Sequence, residues 1–300
     1  MELRHLRYFL AVAEERHFGR AAARLHMAQP PLSQQIKRLE DEIGAQLLAR
    51  TTRHVEPTPA GLAFADRARA ILAEVDAAAA EARSIAQGSA GSIRIGFVGS
   101  ASYQVMPQVA RAIRTALPDV EIVLSGEMLT PAQTAALLHG TIDLGVLRGP
   151  VDAPELAVLP LADEPLIAAL PDPHPLASAE SLDLRDLAGS RFVGYPGGRR
   201  SVVHAAVTEA CARAGFSPDI AIEAAETATI VSLVAAGAGV ALLPESVRHL
   251  TIPGVRYVPL TPAPPLVRLA AAWRKDDASP LLARVLDVVR GLFPAEQRDV

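Results

Sequence analysis

The feature that most constrains this chain is a long alanine-rich run, residues 60–88, that contains no proline. Thr58 and Pro59 precede the run and suit the cap and first turn of a helix, while Gly88 suits its end. The run therefore predicts one long helix. It divides the chain into a head of residues 1–58, a linker helix of residues 59–90 and a body of residues 91–300.

Small and apolar residues along this run recur at alternating spacings of three and four, which is the pattern of a heptad seam. The members of the seam are Ala65, Ala68, Leu72, Val75, Ala79, Ala82 and Ala86. Two copies of the helix can approach closely along such residues, so the pattern favours a homodimer formed through residues 59–88. The alternative is one amphipathic helix that lies on its own domain, but the run is long for a single domain to cover.

The head has the pattern of a helix-turn-helix. Residues 3–15 carry an apolar face, and residues 18–25 form a short helix whose small side chains let another helix cross closely. Residues 28–44 form the next helix, with apolar residues at spacings of three and four. Pro30 and Pro31 belong to its first turn, because proline is excluded from a helix interior.

The polar side of this second helix offers the groups that DNA recognition uses: glutamine pairs with adenine, and lysine or arginine reaches phosphate or guanine. Residues 47–58 then predict two short strands around a polar turn, a wing that reaches the DNA backbone or a minor groove. The expected DNA contacts are Gln29, Pro30, Pro31, Ser33, Gln34, Lys37, Arg38, Arg50 and Arg53. The alternative for these residues is an ordinary solvated face.

Charge supports a local anionic partner for the head. Residues 1–58 hold nine Lys and Arg against seven Asp and Glu, whereas the whole chain has a net charge of −4. The N-terminus lacks the basic start and apolar run of a signal peptide, and no long uncharged apolar stretch predicts a membrane span, so a cytoplasmic location is expected. The one cysteine, Cys211, excludes a disulfide framework and is expected to be a buried, inert thiol.

The body reads as α/β. Strands over residues 92–97, 120–124 and 142–147 alternate with helices, which predicts a parallel sheet with a ligand beyond the carboxyl ends of its strands. Helix amides exposed there favour an anion, and the hydroxyls of nearby residues could join them. These residues are Ser100, Ser102 and Thr130. Plain helix capping is the alternative role, and Thr130 is expected to cap its helix.

A second set of strands and helices follows and predicts two lobes joined by two crossover strands, with a cleft between them. Lobe I comprises about residues 91–162 and 267–300, and lobe II about residues 163–266. No metal-ligand spacing occurs among the histidines, and no nucleophile elbow, phosphate loop or dinucleotide fingerprint is present. Neither a cofactor nor an enzymatic activity is therefore expected, although a solute-binding protein or an enzyme that uses the cleft remains the alternative.

The head and linker resemble LysR-type transcriptional regulators over residues 1–88. The resemblance rests on the runs Leu6-Arg7-Tyr8-Phe9, Gln29-Pro30-Pro31-Leu32-Ser33 and Thr58-Pro59-Ala60-Gly61, together with Leu39-Glu40, Gly44 and Arg50. It implies a DNA-binding, ligand-responsive regulator that forms a homodimer and a homotetramer on a double-stranded DNA operator, with RNA polymerase as a candidate partner. Gln34 departs from the arginine that the family often has after the serine.

The body is similar to the effector-binding domain of the same family, and through it to periplasmic solute-binding proteins. Gly126-Glu127-Met128-Leu129-Thr130, Gln133 and Arg148 resemble the branch that controls aromatic-compound degradation and responds to dicarboxylates such as muconate. By this resemblance Ser100 and Thr130 would hold one carboxylate, and Ser201, Val202 and Val203 would face the other end. Arg148 would contact the effector, with a surface ion pair as the alternative. Arg199, Arg200 and Val203 depart from the branch and suggest a more anionic effector.

Overall fold

The computed structural model describes residues 1–50 and 55–294, and the chain divides into two compact units at Ser84 and Ile85. The first unit contains three short helices, a two-stranded antiparallel wing and most of a long helix. These elements are α1 Leu3–Glu15, α2 Phe18–Arg24, α3 Gln29–Ile43, β1 Leu48–Arg50, β2 Val55–Pro57 and α4 Pro59–Ala86.

One core holds the first unit together. Leu32, Ile36 and Leu39 of α3 are fully buried, as their spacing predicts. Phe9 of α1 meets Phe64 of α4 edge to face, with ring centroids 5.2 Å apart, so the start of α4 is part of this core.

The heptad seam of α4 is divided between two environments. Ala65 and Ala68 are buried in the core of the first unit, and Leu72 packs against that core. From Val75 onward the seam residues are half-buried or exposed, and Ile85 is 53% exposed. The first part of the seam is thus used within the chain, which is the alternative that the sequence left open, whereas the second part remains uncovered.

The second unit alternates strands and helices. Its helices are α5 Val105–Ala116, α6 Thr130–Leu138, α7 Val202–Arg213, α8 Thr227–Ala235 and α9 Pro280–Leu292. Its strands are β3 Ala90–Phe97, β4 Asp119–Ser125, β5 Leu144–Arg148, β6 Leu156–Pro171, β7 Leu182–Asp183, β8 Arg191–Gly194, β9 Asp219–Glu223, β10 Ala241–Pro244, β11 Val255–Thr261 and β12 Leu266–Arg274. Short 3-10 helices span Gly99–Tyr103, Leu184–Leu187, Gly198–Arg200 and Glu245–His249.

The expectation of a parallel sheet is correct only in part. Strands β3, β4 and β5 are parallel, as are β8 and β9. The main sheet, however, runs in the order β4-β3-β5-β12-β6-β11-β7, and β12 is antiparallel to both β5 and β6. The sheet is mixed because the long crossover strands, β6 and β12, are themselves members of it and pair antiparallel with each other.

Two apolar cores define the lobes. Ile95, Val109 and Val285 belong to the core of lobe I, and Phe192 and Val231 belong to that of lobe II. A single strand, β6, contributes to both cores through its two halves. No helix of the described residues is long and apolar enough to cross a membrane.

Candidate functional site

The start of α3 and its exposed face carry the residues that the sequence predicts to meet DNA. Its N-cap, Ala28, has no side chain that could accept from the first turn, and the prolines lie at the first positions of the helix. Because the opposite face is buried, the residues predicted to meet DNA point outward: Gln29, Pro30, Pro31, Gln34, Lys37 and Arg38 are exposed, and Ser33 is half-buried.

Two cations on this face are available for an anion. Lys37 and Arg38 are exposed, and no ion pair joins either to an acidic side chain within the described residues. By contrast, Arg24 of α2 is held by Glu14 of α1 at 2.8 Å. A face that carries unneutralised cations beside amide groups suits a nucleic-acid backbone.

The wing is tied to α3 by a residue that sequence reasoning did not single out for this role. Glu40 Oε1 accepts hydrogen bonds from the backbone N–H groups of Leu47, at 2.9 Å, and Leu48, at 3.0 Å. The start of β1 is therefore fixed to the last turns of α3. Arg50 ends β1, and Arg53, the other predicted wing contact, lies outside the described residues.

His17 is a second residue of the head that the sequence did not reveal. Its Nδ1 accepts from the backbone N–H groups of Gly19, at 3.0 Å, and Arg20, at 3.3 Å, so the imidazole caps α2. A histidine rarely serves as an N-cap, which is why its position gives no sequence signal.

In the second unit a small cavity lies where the two lobes meet. Six residues expected at the effector site line it, together with Val98, Gly99, Leu129 and Tyr195; the six are Ser100, Thr130, Arg148, Ser201, Val202 and Val203. Ser102 is half-buried and does not line the cavity. The cavity measures about 20 Å³, which is room for about one water molecule. A larger ligand enters only if the lining residues move apart.

Arg148 is the charged centre of this cavity and is only 2% exposed. The ion pair that is the alternative from the sequence is present, with Glu164, but it is buried and does not lie at the surface. The Nη2 of Arg148 donates to Ser100 Oγ at 2.9 Å and to Glu164 Oε2 at 2.5 Å, and its Nη1 donates to the carbonyl of Val267 at 3.3 Å. Its Nε is buried and has no hydrogen-bond partner among the described residues.

The same network crosses the cleft. Ser246, in the 3-10 helix of lobe II, donates its backbone N–H to Glu164 and its hydroxyl to the carbonyl of Ser100 at 3.1 Å. Ser100 belongs to lobe I. Buried polar groups that satisfy one another in this way hold both lobes around Arg148.

Thr130 does not cap α6, contrary to the sequence expectation. The N-cap is Leu129, which has no side-chain acceptor. The Thr130 hydroxyl instead donates to the carbonyl of Arg148, at 2.9 Å, and accepts from its backbone N–H, at 3.2 Å. The first turn of α6 is thereby pinned to the end of β5 and has no side-chain cap of its own.

Glu127 makes a second contact between the lobes. Its carboxylate accepts from the backbone N–H of Thr227, the first residue of α8, at 3.3 Å. A Cβ at Gly99 would lie 1.9 Å from Glu127 Oε2, so only glycine leaves room for this carboxylate. Burial raises the pKa of Glu127, although the bond from Thr227 opposes the shift. Thr227 also bonds the hydroxyl of Tyr195 in the cavity wall, at 2.7 Å.

The loop before α7 carries Ser201, which caps that helix by accepting from the N–H of His204 at 3.3 Å. Arg200 does not line the cavity and pairs with Glu223 at 3.0 Å, and Glu223 also accepts from the N–H of Gly197 at 3.0 Å. This pair holds the loop to β9. Elsewhere, no group of three His, Cys, Asp or Glu side chains within the described residues is placed to hold a metal ion.

Comparison with known proteins places both units in one family. Residues 3–62 match the model described as "Bacterial regulatory helix-turn-helix protein, lysR family", and residues 86–294 match "LysR substrate binding domain". The chain is 40% identical over 288 residues to the HTH-type transcriptional regulator AlsR of Bacillus subtilis (strain 168), covering 96% of this chain and 95% of AlsR. It is 39% identical over 290 residues to the HTH-type transcriptional regulator CatR of Pseudomonas putida, covering 96% of this chain and 98% of CatR.

Solved structures agree. The crystal structure of CbnR, a LysR family transcriptional regulator, superposes with a TM-score of 0.84 at 31% identity and covers 97% of this chain and 100% of CbnR. A crystal structure of full-length CbnR complexed with its target DNA superposes with a TM-score of 0.82.

Proposed function

The chain belongs to the LysR family of transcriptional regulators, and from that premise we propose that it controls transcription in response to a small organic carboxylate bound in the inner cavity. Membership makes it a DNA-binding regulator with an effector-binding domain, in a family of regulators and not of enzymes. Beyond membership, we propose the carboxylate as effector, the residues that hold it, the oligomer and the domain boundaries.

For DNA, we assign base reading to the first turns of α3 and phosphate contact to its later cations. Gln29, Ser33 and Gln34 lie in the first turns of α3, the part of a recognition helix that reads bases, and Lys37 and Arg38 follow on the exposed face. The likeness to CbnR, whose structure with target DNA is known, supports this use of the head.

For assembly, we propose a homodimer formed through residues 59–88, within a homotetramer. We also propose that the chain divides into a DNA-binding domain of residues 1–58, a linker helix of residues 59–90 and an effector-binding domain of residues 91–300. The burial of Ala65 and Ala68 in the head leaves the later part of α4 for a partner. Ile85 lies in this later part and is 53% exposed, which is unfavourable for a large apolar side chain in water.

For the effector, the observation that carries the proposal is the Nε of Arg148 at the cavity wall, which is buried and has no hydrogen-bond partner within residues 1–50 and 55–294. A buried donor without a partner is costly, and a carboxylate oxygen would satisfy it. The first turn of α6, which lacks a side-chain cap, and the hydroxyl of Ser100 add donors to the same place.

The size of the cavity links binding to movement. Because about 20 Å³ does not accommodate a carboxylate, the effector binds a form of the domain in which the lobes are further apart. A ligand shifts a conformational equilibrium only by binding one form more tightly, and this difference in volume supplies such a preference.

The test is calorimetry of the full-length protein with acetate, hexanoate and adipate. We expect Ser100→Ala to weaken binding about tenfold or more, since a hydrogen bond to a charged group is lost. Ser102→Ala, in the same 3-10 helix but outside the cavity lining, should leave the affinity unchanged. Equal affinities for the wild type and Ser100→Ala would refute the site, and failure to bind any fragment of its own upstream region would refute the DNA assignment.

A further inference from the structure

An open groove lies beside the inner cavity and shares one lining residue with it. It measures about 910 Å³ and lies between α7 and the strands β6 and β12. Val202 lines both spaces, and the groove begins at Gly149, directly after Arg148. Arg148 Nη1 donates to the carbonyl of Val267, which also lines the groove, so the guanidinium is adjacent to a much larger space.

The walls of this groove are mainly apolar. They include Val151, Val158, Ala205, Ala206, Leu266 and Val267. Val158 is 44% and Leu266 56% exposed, so a ligand that covered them would remove apolar surface from water.

The charged groups that line the groove already have partners. Arg268 donates to both oxygens of Asp163, at 2.8 and 2.9 Å, and Glu209 pairs with Arg213 at 2.5 Å. The hydrogen bonds from Arg268 lower the pKa of Asp163, so this carboxylate stays ionised. A second ligand carboxylate would meet the carboxylates of Asp163 and Glu209 here and, among the described side chains of the lining, no unpaired cation.

We infer that the effector is a monocarboxylate with an apolar body, its carboxylate at Arg148 and its body in the groove between α7 and β12. The inference rests on the carboxylate site proposed above and narrows its ligand class. It departs from the dicarboxylate, and from the more anionic effector, that the sequence resemblance suggests.

The test compares three probes of equal chain length by calorimetry with the full-length protein. Hexanoate has one carboxylate, adipate has two, and 1-hexanol has none. We expect hexanoate to bind at least tenfold more tightly than either of the others. Along the series from butyrate to hexanoate, each methylene should tighten binding about fourfold, as for a buried CH₂.

A matched pair of variants locates the apolar body. Ala205 and Thr208 are both exposed on α7, but only Ala205 lines the groove. Ala205→Phe should abolish the gain from added methylenes while leaving acetate binding unchanged. Thr208→Phe should retain the gain. If Ala205→Phe fails to fold, Val158→Asp, on the opposite wall, serves the same purpose.

The outcomes separate this inference from the function on which it rests. If adipate binds as tightly as hexanoate, or if the affinity does not depend on chain length, the inference of a monocarboxylate with an apolar body is wrong. The carboxylate site at Arg148 would remain supported. Equal binding of 1-hexanol and hexanoate would overturn the carboxylate site itself. If only acetate binds, and its binding depends on Ser100, the carboxylate site is supported and the groove does not hold the body of the effector.

Discussion

Nη2 of Arg148, at the end of β5, lies 2.5 Å from Oε2 of Glu164, in the crossover strand β6. The two side chains are 2% and 14% exposed. Burial makes each charge depend on the other, because an ionised group without its partner is poorly tolerated in the interior. The ion pair therefore links the cavity wall to β6, the strand that contributes to the cores of both lobes.

Removal of Glu164 should destabilise the effector-binding unit strongly. Glu164→Ala leaves Arg148 buried without its acid, and we expect a loss of about 3–5 kcal/mol in the free energy of unfolding. Glu164→Gln keeps an acceptor oxygen and should lose less. Urea unfolding can be followed through Trp273, the single tryptophan, which lies in β12 of this unit.

A surface ion pair is the control for that experiment. Asp287 pairs with Arg290 on α9, at 2.8 Å, and both side chains are exposed. Asp287→Ala should cost less than about 1 kcal/mol. Equal unfolding midpoints for Glu164→Ala and Asp287→Ala would show that Arg148 does not depend on Glu164.

The half-buried carboxylate of Glu127 predicts a pH dependence. Burial raises its pKa in the folded protein, so the folded state disfavours the ionised form. This penalty is present above the folded pKa and disappears as the pH falls below the unfolded pKa, about 4.3. Glu127→Gln keeps an acceptor for Thr227 and removes the charge, so it should raise the Tm near neutral pH.

The pH series decides whether that gain is electrostatic. The difference in Tm between Glu127→Gln and wild type should shrink toward zero as the pH is lowered through the pKa of Glu127. A difference that stays constant from neutral to acidic pH would assign the effect to packing.

The head could be predicted from sequence because its information is local. The stripe of Leu32, Ile36 and Leu39 follows the helical period, and two prolines mark where α3 starts. The residues of the inner cavity follow instead from the resemblance to a family together with the rule that ligands bind beyond strand ends. That combination predicts Ser100, Thr130 and Arg148 at one site but also includes Ser102, which does not line the cavity.

The remaining features depend on contacts between distant segments. Nothing near Glu164 in the sequence indicates that it meets Arg148 and Ser246, and nothing near Glu40 indicates that it holds the wing. The antiparallel pairing of β12 also joins segments far apart in the chain. The common local role of a threonine at a helix start predicts that Thr130 is a cap, whereas the fold supplies the backbone of Arg148 as its partner.

Gly61 provides a test of how α4 joins the head. A Cβ at this position would lie 2.0 Å from the carbonyl oxygen of Leu47, so the helix approaches the wing closely. We expect Gly61→Ala to destabilise the first unit by about 1–3 kcal/mol, as overpacking does in a tight interior.

The matched control is the helical glycine of α9. A Cβ at Gly291 would meet no atom within 4 Å, and alanine is the better helix former, so Gly291→Ala should stabilise the second unit by up to about 1 kcal/mol. Circular dichroism on thermal unfolding measures both. If Gly61→Ala unfolds at the same temperature as the wild type, α4 can move away from the wing without loss of stability, and the close approach does not constrain this position.

Lys37 tests whether the exposed face of α3 meets the DNA backbone. Each phosphate that a lysine neutralises releases counterions, so Lys37→Ala should weaken binding to specific and scrambled DNA alike and reduce the salt slope by about 0.9 for each head bound. Gln29→Ala should instead reduce the preference for the specific site and leave the salt slope unchanged. Fluorescence anisotropy at several salt concentrations measures both quantities. Arg284→Ala, an exposed cation on α9, controls for net charge. If Lys37→Ala and Arg284→Ala alter the slope equally, the effect belongs to the overall charge of the protein, and Lys37 is not at the interface.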